Sequence, residues 1–234
     1  MKKITILFLL LPFITFGQVA DDRRAIDNRL YPAGDVEVYD LRKRTKIKRF
    51  FLENNWLECQ FLFLDTSKTQ RTFPLKLDIL NQELVVDLYG SEYIVPMDSI
   101  HGFVLEDYYS QVSGNAKREF TIRRNNSKSG KRRSVFEIIV KGEYQLLVGY
   151  YAEMLKANYN AAIDVGSLDE KIVKKDKFYL IDDDGRLFEI PKKKKAAIAI
   201  FNKYPAANKF LAKNKVNFKS KESLNRLVLF MNQN

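Results

Sequence analysis

The chain contains one cysteine, Cys59, and one histidine, His101. A lone thiol closes no internal disulfide, so the fold must be held by its apolar core. A lone imidazole excludes a histidine pair on one metal, and any Ser-His-Asp arrangement would have to run through His101. There is also no Gly-rich phosphate loop, no Gly-x-Ser-x-Gly elbow and no His-Glu-x-x-His helix. The chain therefore reads as a non-enzyme with no cofactor and no metal. Glu106 and Asp107 do not alter that reading, because neighbours on a strand point to opposite faces and cannot share one substrate bond. Cys59 falls among Leu57, Phe61 and Phe63 on an apolar face, where a thiol is inert. His101 has the parity of Phe103 and Leu105, which reads as a structural or strand-end histidine.

Long apolar runs are scarce too. The longest, Ile4–Phe13, is shorter than the roughly 20 residues a membrane helix needs. It follows Met1-Lys2-Lys3 and precedes Thr15-Phe16-Gly17, the charged, apolar and small-residue parts of an export signal. Cleavage is expected after Gly17, giving a periplasmic or secreted chain without a transmembrane segment; a retained N-terminal anchor is the alternative. Cys59 lies far from that junction, so the lipid-bearing cysteine of a bacterial lipoprotein is missing.

Positive charge is in excess: 40 Lys and Arg stand against 29 Asp and Glu, a formal net charge of +11. For an exported protein the polyanions at hand are lipopolysaccharide, lipid headgroups, acidic glycans and acidic proteins, so nucleic acid is not the expected partner. The cations gather in three clusters: Arg42, Lys43, Arg44, Lys46, Lys48 and Arg49; Arg123, Arg124, Lys131, Arg132 and Arg133; and Lys192, Lys193, Lys194 and Lys195. Each is a solvated connection or guarded strand edge on one reading, and an anion contact on the other. The acidic run Asp182-Asp183-Asp184-Gly185 invites a calcium reading. With Gly185 as the sixth position of an EF-hand loop, however, Leu180 and Pro191 fall where acidic ligands are needed. Asp-Gly between apolar runs predicts a hairpin instead.

Apolar alternation sets the fold class. Phe73, Leu75, Leu77 and Ile79 share one face while Thr72, Lys76 and Asp78 share the other, the period-two signature of a sheet with one wet side. Residues 1–17 are read as the signal, 18–35 as a polar arm, 36–190 as an antiparallel β domain and 191–234 as a helical segment. The predicted fold is α+β and predominantly antiparallel β: a curled meander, half-barrel or sandwich followed by three short helices. Within it, Ala157–Lys177 has the weakest pattern and is assigned to loop with at most one short strand. Gly149 suggests a bulge or bend. Ala197, Ile200 and Tyr204 predict one helical stripe, and Ser220 caps a last helix carrying Leu224, Leu227, Val228 and Met231.

The signal ending in Phe16-Gly17-Gln18, the meander from Leu75 to Leu105, the Phe178-Tyr179-Leu180 hairpin and the lysine-led closing helices resemble small exported proteins of Bacteroidota-type diderm bacteria. That resemblance implies fold and compartment and carries no activity. The functional expectation is a non-enzymatic envelope protein that meets an acidic partner or anionic surface through its basic clusters. The alternative is a carrier holding an apolar ligand in a half-closed sheet. The sequence sets no oligomeric state.

Overall fold

Most strands form where the two-residue alternation predicts them. The computed structural model describes residues 39–40, 48–64, 72–98, 100–106, 117–127, 130–156 and 169–234. After β1 (Tyr39–Asp40) come β2 (Leu57–Phe63), β3 (Thr72–Asp78), β4 (Glu83–Leu88), β5 (Ser91–Val95) and β6 (Ile100–Glu106). Four longer strands follow, β7 (Arg118–Ser127), β8 (Gly130–Val140), β9 (Gln145–Leu155) and β10 (Lys171–Ile181), then the short β11 (Leu187–Glu189). Helices α1 (Lys194–Phe201), α2 (Pro205–Lys213) and α3 (Lys221–Gln233) close the chain. The proposed signal (1–17), the polar arm (18–35) and Arg42, Lys43, Arg44 and Lys46 lie outside the described residues. Among the described residues, no helix is long and apolar enough to cross a membrane.

The strands make one open antiparallel sheet in the order β1-β5-β4-β3-β2-β6-β7-β8-β9-β10-β11. The sheet curls until its distant parts touch. Ala152 N, near the end of β9, donates to Ile79 O at 3.0 Å, and Lys174 Nζ of β10 reaches Leu52 O at 3.2 Å. In the turn between β3 and β4, Gln82 Nε2 donates to Tyr150 O at 2.8 Å. A curled half-barrel with a C-terminal helical segment is thus the α+β, predominantly antiparallel fold expected from the sequence.

Register places the core on the inner face of this curl. Phe61 opposes Phe103, Phe103 opposes Phe120, and the Phe103 and Phe120 rings stack at 4.7 Å. Together with Cys59, Leu75, Leu84 and Val95, all nearly inaccessible, they fill the first half of the curl. The same face of β8–β10 presents Leu146, Val148, Phe178 and Leu180 to the helices, which contribute Ala197, Phe201, Leu224, Leu227 and Val228. Tyr150 packs against both cores.

Several local expectations change. β10 runs from Lys171, through a stretch read as mainly loop, because eleven consecutive pairings with β9 hold its polar half in the sheet. Both faces are wet there, so no alternation marks it. Gly149 sits in regular register between Phe136 and Lys177 rather than in a bulge. Its bare Cα makes room for Tyr151, whose hydroxyl would lie 2.8 Å from an added Cβ. The bulge is in β8, where the register slips between Ile138 and Val140. In α1 the buried positions are Ala197 and Phe201, with Tyr204 beyond, rather than Ile200. Ser220 caps α3 as expected, its Oγ accepting from Ser223 N at 3.2 Å.

Candidate anion-binding sites

The three basic clusters meet different fates. Of the first, Lys48 and Arg49 are described, and both are neutralised: Lys48 pairs with Glu170 at 2.7 Å, and Arg49 with Glu92 at 2.9 Å. The second divides. Arg133 donates to Met97 O at 2.8 Å and pairs with Asp98 at 2.9 Å, Arg124 is exposed, and Arg123 turns into a pocket described below. The side chains of Lys131 and Arg132 lie outside the described set.

The third cluster stays together. Pro191 ends the sheet, and Lys192–Lys195 lead into α1, all four exposed. Lys193 is the helix N-cap with no side-chain capping bond, and the first turn holds no acidic residue. Lysines 192 to 194 rim a groove of about 830 Å³ whose other wall is Val216, Asn217, Phe218 and Lys219, from the connection between α2 and α3. Phe218 is buried and forms its floor, and the partner nearest Lys192 is Asp176 at 3.8 Å. Cations at a helix N-terminus oppose the macrodipole, and an anion seated there relieves that repulsion.

A second site lies on the outer face of the sheet. Two irregularities build it. β2 and β6 pair Leu62 with Gly102 and Phe63 with Ile100, so His101 is an extra residue in a bulge. The bulge rotates His101 outward, against the expectation that it shares the buried face of Phe103 and Leu105; a β-bulge re-aims a side chain in this way. The slip in β8 does the same beside Ile138 and Lys141. Gly102, next to the bulge, lets β6 lie close against β7, since an added Cβ would sit 2.2 Å from Phe120 O. The resulting hollow, about 220 Å³, is lined by Leu62, His101, Glu119, Thr121, Arg123 and Lys141 together with Phe120, Ile138 and Gln145. Lys141 bonds Glu119 at 2.5 Å. Glu119, Thr121, Lys141 and Gln145 were not among the residues singled out by sequence; the glycine after His101 was the one local signal of the bulge.

Elsewhere polar groups are consumed by structure. Asp182, Asp183 and Asp184 bring carboxylate oxygens within 4.8 Å of one another, yet Arg186 engages two of them: its backbone N donates to Asp182 at 2.8 Å, its Nε to Asp182 at 3.0 Å, and its guanidinium also pairs with Asp184. Burial would raise the Asp182 carboxyl, but these bonds hold it below the usual carboxylate range. Tyr204, whose hydroxyl donates to Asp182 at 3.4 Å, is pushed up to about 12, first by burial and then by the Asp182 charge. Gly185, with φ +75°, turns the hairpin. Cys59 is fully buried, and its thiol is raised well above the ordinary range by that burial and by the Glu58 charge. No protein-family model, curated protein or solved structure matches the chain.

Proposed function

We propose that the protein is a non-enzymatic envelope protein that docks an acidic partner or anionic envelope surface against the lysine-rimmed groove at the start of α1. One observation carries this reading: Lys192, Lys193, Lys194 and Lys219 surround an exposed groove at a helix start without a capping side chain or an acid in its first turn. Among the described cations of the other two clusters, Lys48, Arg49 and Arg133 are paired with Glu170, Glu92 and Asp98. The envelope location rests on the export-signal pattern of Met1–Gly17. The interior-carrier alternative has less support, because Phe61, Phe103 and Phe120 already occupy the first half of the curl.

Retention on anionic phospholipid vesicles and on polyglutamate tests the reading. Binding to at least one of the two should fall steeply as salt is raised past the point where the screening length nears 10 Å, about 0.1 M. The triple substitution Lys193→Glu, Lys194→Glu, Lys219→Glu should abolish it. Binding indifferent to salt, or equal in the charge-reversed variant, would overturn the proposal.

A further inference from the structure

We propose that the outer-face pocket around Thr121 and Arg123 binds a small monocarboxylate. This site shares no residue with the lysine groove and stands independently of its role. Thr121 is 3% exposed, and its Oγ1 is buried without a hydrogen-bond partner among the described residues. The Nε of Arg123 is in the same condition. Buried polar atoms are ordinarily satisfied, so two unpartnered ones on residues that line one hollow point to an absent acceptor. An arginine Nε–H and its neighbouring Nη–H form a side-on fork that matches the two oxygens of a carboxylate, and a threonine hydroxyl supplies a third donor.

Charge narrows the class. Arg123 and Lys141 are cationic, Glu119 is anionic, and Glu119 is already held by Lys141. Arg123, Lys141 and Glu119 together leave one net positive charge, which a monoanion balances. A dianion such as phosphate would bring a second negative charge beside Glu119. Size agrees: 220 Å³ admits several heavy atoms beyond one water, and Leu62 and Ile138 offer apolar wall to a short alkyl tail. The bulge at His101 and the slip in β8 flank the pocket, which His101 and Lys141 line from its two sides.

The test is an NMR titration of the full chain with acetate, butyrate and inorganic phosphate as probes. His101 gives the single histidine ring signal, and the Thr121 methyl gives a second reporter. Saturable shifts of both reporters by the carboxylates are expected. Arg123→Gln should weaken binding at least about tenfold, the loss of a charge-assisted pair, whereas Arg124→Gln on the exposed neighbour should leave it unchanged. Thr121→Val is isosteric and removes an unsatisfied hydroxyl, so it should weaken binding while leaving the melting temperature equal or higher. The absence of saturable shifts, wild-type affinity in Arg123→Gln and Thr121→Val, or tighter binding of phosphate than of either carboxylate would each overturn the assignment.

Discussion

Arg118 lies where the two cores meet. Its Nε and Nη2 donate to Glu137 at 2.9 and 3.2 Å, its Nη1 donates to Glu53 at 2.9 Å, and its guanidinium faces the rings of Phe120 and Tyr150. Tyr150 donates its hydroxyl to the same Glu137 at 2.5 Å. Burial would raise the Glu137 carboxyl, but hydrogen bonds from Arg118 and then Tyr150, with the Arg118 charge, hold it below the usual range. Burial and the bond to Glu137 push Tyr150 upward. A depressed carboxyl contributes stability that is complete above its unfolded pKa, near 4.3, and is lost as pH falls through the folded value. Glu137→Gln should therefore cost about 2–4 kcal/mol at neutral pH, moderated because Arg118 keeps Glu53. That difference should shrink as urea unfolding is repeated at pH values below about 4. A constant difference across that range would mean that Glu137 acts by packing alone. Sequence could not have shown this trio. Arg118 and Glu137 are brought together across the β7–β8 hairpin, and nothing in the local pattern distinguishes them from surface charges.

At the scale of elements, α3 shows what a sequence reveals and what it withholds. Leu224, Leu227, Val228 and Met231 lie on one buried stripe because they follow the helical period, and Ser220 caps them by its chemistry alone. Asn232 has no such signature. Its Oδ1 accepts from Tyr144 N at 2.8 Å and its Nδ2 donates to Tyr144 O at 2.9 Å, so the amide pins the helix end to the turn between β8 and β9. Asn232→Ala should cost about 1–3 kcal/mol in thermal or urea unfolding and speed amide exchange at Tyr144. An unchanged midpoint would reduce the bridge to a surface contact. The same distinction explains the other differences. Apolar patterning found β2–β6, which are rich in buried apolar residues, but missed the polar half of β10, where both faces are wet. It also misplaced His101, since a bulge adds one residue and inverts every side assignment across it. The clusters at Arg123 and Lys192 were legible as charge, whereas which cation faces a pocket and which faces a carboxylate depends on pairing register.

Across the whole molecule, the curl is fastened where β9 returns to the turn between β3 and β4. Gln82 is central to that fastening: it is buried, its backbone has φ +55°, and its Nε2 donates both to Ile79 O at 3.2 Å and to Tyr150 O at 2.8 Å. Gln82→Asn retains a residue type tolerant of this backbone conformation but shortens the reach of the amide. Amide exchange at Ala152, whose N–H bridges to Ile79, should accelerate about tenfold, while Phe103 in the middle of the sheet keeps its protection. Equal acceleration at both would show that the contact stabilises the fold globally instead of closing one edge.

The strand order also governs how the chain finds this shape. All ladders but β1–β5 and β2–β6 join strands consecutive along the chain, so most of the sheet can zip up through short hairpins. Joining β2 to β6 closes the loop that contains β3, β4 and β5, and the entropy of that closure rises only with the logarithm of its length. Two runs of local hairpins can therefore take shape separately, and Phe61 meeting Phe103 is the encounter that welds them into one body.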